Sequence, residues 1–82
     1  MNTEMTDRFR GVIRRWAIAI ANIERSGPRE AELWIGVEKG IDRTVFELSL
    51  GCFDGFDQDE YEAVRAAAHK LADEMLEGGG QE

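Results

Sequence analysis

The spacing of apolar residues changes twice along this chain, and that change constrains the fold more than any other feature. Up to Ile23 the apolar residues recur every three or four positions. From Leu33 to Leu50 they fall at every second position, and from Tyr61 onward the three-to-four spacing returns. Spacing of three and four lines up side chains on one stripe of a helix, whereas spacing of two places them on one face of a strand. The chain therefore reads as helix, strand, strand, helix, an α+β fold with two helices on one face of an antiparallel hairpin.

The first helix is predicted over residues 3–25. Thr3 is a suitable N-cap, and Glu4 and Asp7 fall where the helix dipole favours carboxylates. Met5, Phe9, Val12, Ile13, Trp16, Ala19, Ile20 and Ile23 form its apolar stripe. Arg10, Arg14 and Arg25 lie opposite, Arg8 and Arg15 flank the stripe, and Ile18 falls outside it. Gly27 and Pro28 are expected to stop this helix, because Gly caps it and Pro cannot continue its hydrogen-bond ladder.

Residues 31–50 give the predicted hairpin. Leu33, Ile35 and Val37 would share a face with Phe46, Leu48 and Leu50, and the turn would centre on Gly40. The opposite face presents Trp34, Gly36, Val45, Glu47 and Ser49. A two-stranded ribbon is marginal in water. Its open edge therefore suggests a homodimer with a four-stranded sheet, and Trp34, Val45 and Glu47 become candidates for dimer or partner contact.

The last helix carries the clearest start signal. Asp57 is the expected N-cap, Glu60 its capping-box partner, and Phe56 with Tyr61 the hydrophobic staple. Tyr61, Val64, Ala68, Leu71, Ala72 and Met75 make the inward stripe. The single domain is expected to cover residues 1–77, with a glycine-rich tail at 78–82.

Charge is distributed unevenly. The chain of 82 residues has 17 acidic and 10 basic side chains and a formal charge of -7. Nearly all of the excess lies after residue 43, which makes direct binding of nucleic acid unfavourable and favours basic partners. On the last helix Asp59, Glu62, Asp73 and Glu77 fall within about 60° of one another at 100° per residue. Glu74 lies on the flank of that face, and Asp54 extends the acidic patch into the preceding loop. The row spans about 27 Å at 1.5 Å per residue. Carboxylates so spaced can stand in for phosphates at a basic groove that normally holds DNA or RNA. The bland alternative is a solvated helix face that keeps a small protein soluble.

Small size, one domain and high negative charge resemble in kind the inhibitors that viruses direct at host defences, anti-CRISPR proteins among them, without a motif that carries the likeness. They imply a non-enzymatic, phage-type protein whose acidic face blocks a basic site on a partner. The other expected role is a homodimeric adaptor using the hairpin face around Trp34.

Chemistry-bearing motifs are sparse. One Cys excludes an intrachain disulfide, and one His excludes a histidine zinc cluster. Cys52 and His69 are not placed by the sequence as a nucleophile and base, and Ser26 and Ser49 have no nucleophile-elbow context. Asp54, Asp57 and Asp59 lack the spacing of a calcium-binding loop. Gly36 and Gly40 sit in the expected hairpin and do not make a phosphate loop. No cofactor is expected. No apolar run is long enough to cross a bilayer and no secretory leader is apparent, so a cytoplasmic setting is expected, that of a host cell if the chain is viral.

Overall fold

Gly27 and Pro28 separate two helices, not a helix and a strand. The computed structural model describes residues 7–52 and 55–78. Over these the chain forms α1, Arg10–Arg25, α2, Pro28–Leu50, and α3, Gln58–Gly78. Among the described residues there is no strand, so the helix–strand–strand–helix expectation and its four-stranded dimer are both overturned.

The reason lies at the start of α2. Gly27 is extended, with φ -71° and ψ 172°, and Pro28 occupies the first turn. Proline there has its φ preset for a helix and lacks only an N–H that has no partner inside the helix anyway. The residue expected to end one helix therefore starts the next. Along the 23 residues of α2, Trp34, Glu38, Ile41, Val45 and Ser49 recur at helical spacing and are half-buried or buried. Arg43 and Glu47 are paired one turn apart at 3.2 Å. Ser49, fully buried, donates its hydroxyl to the Phe46 carbonyl at 2.6 Å, so its polar atom is satisfied.

α1 is the central element and packs against both other helices, while α2 and α3 meet each other over less of their length. The result is a flattened body of 38 × 25 × 15 Å. Its radius of gyration is 13.2 Å, above the roughly 12 Å of a compact chain this long. The core gathers Ile13 and Trp16 of α1, Val45 of α2, Val64 and Ala68 of α3, and Phe56 from the loop before α3. Ala17 and Ala21 of α1 and Ala72 of α3 are buried as well. Small side chains of this kind permit close helix approach.

Aromatic contacts connect the elements. Phe9 and Phe56 have ring centres 4.6 Å apart. Tyr61 lies against Trp16 at 6.4 Å and edge-on to Phe46 at 5.2 Å. The Trp16 indole N–H donates to Glu38 Oε2 at 2.9 Å, tying α1 to α2.

The ends of α3 are also secured. Asp57 accepts the Glu60 amide at 3.0 Å through its side chain, as the capping signal requires. No basic residue lies in the last turn of α3. Arg25, at the end of α1, supplies the missing donor to the Met75 carbonyl at 2.9 Å. Helix α3 runs through Gly78, the residue expected to begin the tail. Thr3, Met5 and Asp54 lie outside the described residues.

Candidate interaction surfaces

The apolar residues that were expected to line one face of a hairpin are exposed on α2. Leu33 is 73% exposed, Leu50 58% and Val37 46%, and Ile35, Phe46 and Leu48 each expose more than a third of their surface. Residues two apart are about 200° apart around a helix. The alternation that would make one sheet face therefore divides between two flanks. Leu33, Val37 and Leu48 fall on one, and Ile35, Phe46 and Leu50 on the other.

The first flank borders a groove of about 500 Å³ between α1 and α2. Phe9, just before α1, and Val12 of α1 form one wall, and Val37, Ile41 and Leu48 of α2 the other. Gly36, Gly40 and Thr44 leave the α2 side low. Arg15 is the one charged residue among the described residues that line the groove.

The expected hairpin face does not assemble. Trp34 is half-buried, and Val45 is 2% exposed in the core. Glu47 is exposed and paired with Arg43. Val45 belongs to the core and reaches only the floor of the α1–α2 groove, and Glu47 lies about 160° from it around α2.

The acidic residues of α3 do face solvent. Asp59, Glu62, Asp73, Glu74 and Glu77 are all exposed. None takes part in an ion pair or side-chain hydrogen bond seen among the described residues. They form two clusters and not one unbroken stripe, because Ala66 and Lys70 occupy the stretch between Glu62 and Asp73. The second cluster lies toward the C-terminal end of α3, where the helix dipole disfavours carboxylates, so helix stability does not account for its position.

Between α2 and α3, Tyr61 donates its phenol to Asp42 Oδ1. This link is not apparent in the sequence, where Asp42 falls within the turn expected around Gly40. Burial, and next the Asp42 carboxylate, push the Tyr61 phenol up to about 12. Its ordinary value is about 10. Because the value is raised on folding, the stabilisation is fully present below pH 10 or so and is lost as pH rises through about 12. Tyr61 is the only tyrosine, so an ultraviolet titration of phenolate reads it directly. The expected midpoint is near 12, and Asp42→Asn is expected to lower it. A midpoint unchanged by that substitution would show that the hydrogen bond does not couple the two helices.

Cys52 is exposed, with φ 47°, and His69 is exposed on α3. No hydrogen bond joins the two among the described residues. No group of three or more potential metal ligands occurs among those residues. No described helix is long and apolar enough to cross a membrane. No protein family, curated protein or solved structure matches the chain.

Proposed function

We propose that this chain is a non-enzymatic protein-binding module whose principal contact surface is α2. The observation that carries this reading is the exposure of six large apolar side chains, Leu33, Ile35, Val37, Phe46, Leu48 and Leu50, on one helix of a small domain. Single exposed apolar residues are ordinary, whereas several on one flank of a helix, as Leu33, Val37 and Leu48 are here, mark a surface that a partner covers. α1 and α3 instead direct most of their large apolar residues inward.

A second reading is favoured by the unpaired carboxylates of α3. In it, Asp59, Glu62, Asp73, Glu74 and Glu77 occupy a basic site on the partner in place of nucleic-acid phosphates, which makes the protein an inhibitor. The two surfaces lie on different helices and are compatible within one complex.

Affinity capture from the native host, followed by mass spectrometry, tests both. One variant replaces Leu33, Val37 and Leu48 with Ser, and the other replaces Asp59, Glu62, Asp73 and Glu77 with Lys. If α2 is the contact, the first variant loses the partner and the complex tolerates salt. If the acidic face dominates, the second loses it and the wild-type complex weakens steeply with ionic strength. Retention of every partner by both folded variants would remove the binding-module reading.

A further inference from the structure

We infer that the groove between α1 and α2 receives an amphipathic helix from another protein, bearing a carboxylate beside its apolar stripe. This rests on the protein-binding reading and narrows it to one flank of α2 and one class of partner. Three features of the groove agree on that occupant.

The first is its length. Its α2 side runs from Gly36 to Leu48, about 18 Å at 1.5 Å per residue, enough for roughly three turns of a docked helix. Phe9, Val12 and Val37 give apolar walls along it, as helix-in-groove recognition requires.

The second is the low α2 wall. Gly36 and Gly40 are one turn apart, and a Cβ at either would meet nothing within 4 Å. Packing inside this molecule therefore does not call for glycine, which is unfavourable in a helix interior. A second helix lying along this line gains a closer approach to the α2 backbone.

The third is charge. Arg15 is exposed and makes no hydrogen bond or ion pair among the described residues. Among the described residues no carboxylate lines the groove. Pairing two copies groove to groove would bring two Arg15 side chains together with no lining carboxylate to meet them. It would also join two chains of formal charge -7. A foreign helix with a Glu or Asp beside its apolar stripe satisfies Arg15, and a second copy docked groove to groove does not.

The test uses the whole isotopically labelled protein and two synthetic helical peptides of about 18 residues, roughly 27 Å long. Both carry the same leucine stripe, one flanked by Glu and the other by Lys. Titration followed by amide NMR is expected to shift Gly36, Val37 and Gly40. The Glu peptide is expected to bind roughly threefold to tenfold tighter, the scale of a rim ion pair gained against a repulsion. Arg15→Glu is expected to reverse that order. Val37→Glu, in the groove wall and 46% exposed, is expected to weaken both peptides at least threefold while circular dichroism stays unchanged. Shifts confined to α3, equal affinity for the two peptides, or no binding would each overturn the inference. So would movement of the same amides with protein concentration alone, which would assign the groove to a second copy. Failure of the peptides alongside loss of the native partner from the Leu33, Val37 and Leu48 variant would reject this occupant while leaving the α2 contact intact.

Discussion

Trp16→Ala is expected to remove roughly 3–5 kcal/mol of folding stability, the range for truncating a large buried aromatic. Trp16 has no exposed surface and lies at the junction of the helices. Its loss leaves a cavity bordered by Ile13, Val45 and Val64, and leaves Glu38 without the indole donor. A domain of 82 residues holds about 4–12 kcal/mol in total, at 0.05–0.15 kcal/mol per residue. The substitution therefore consumes much of the stability and can unfold the chain outright. Urea denaturation followed by far-ultraviolet circular dichroism measures the effect. Trp16→Phe separates the two contributions, because it keeps most of the packing and loses the N–H. The hydrogen bond alone is expected to account for about 1 kcal/mol. If Trp16→Ala unfolds within 1 kcal/mol or so of the wild type, Trp16 is not the centre of the core.

The first and last helices were legible because their large apolar residues gather on one side. On α1, Ile13, Trp16 and Ala19 were expected inside and are buried, and Ile18 was expected outside and is 37% exposed. On α3, Val64, Ala68 and Ala72 are buried, and Asp57 caps the helix as its spacing indicated. Helix α2 was misread because its exposed residues imitate a strand. Leu33, Ile35 and Val37, with Phe46, Leu48 and Leu50, are the alternating set, and they are also the large apolar residues that α2 exposes. In an ordinary domain apolar residues report the core, so their period reports the secondary structure. Here they report surface, and the core-facing period is carried by Trp34, Ile41 and Val45 with polar Glu38 and Ser49 between them. Two signals favoured the helix. Pro28 and Gly51 bracket an uninterrupted 23 residues, and the supposed turn around Gly40 lacks the paired Asn-Gly or Asp-Gly of a tight hairpin. The acidic side chains of α3 were placed correctly as exposed, because the helix around them was. The groove beside Arg15 could not be found while α2 was read as two strands.

Replacing both Gly36 and Gly40 with Ala is expected to stabilise the free protein by about 2 kcal/mol, since Ala exceeds Gly by about 1 kcal/mol in a helix interior. Neither new methyl meets an atom within 4 Å, so nothing offsets the gain in helix propensity. For a domain of this size about 2 kcal/mol corresponds to a rise in Tm of roughly 8–16 °C, which scanning calorimetry resolves easily. An unchanged or lower Tm would mean that the α2 backbone at these positions is not ordinary helix. The same two methyls stand in the path of a docked helix and raise the low wall of the groove. Peptide affinity is therefore expected to fall as Tm rises. Opposite signs from one pair of substitutions distinguish glycines that serve an intermolecular contact from glycines that merely weaken a helix. If Tm rises and the peptide binds as before, the helix does not lie against the Gly36–Gly40 line.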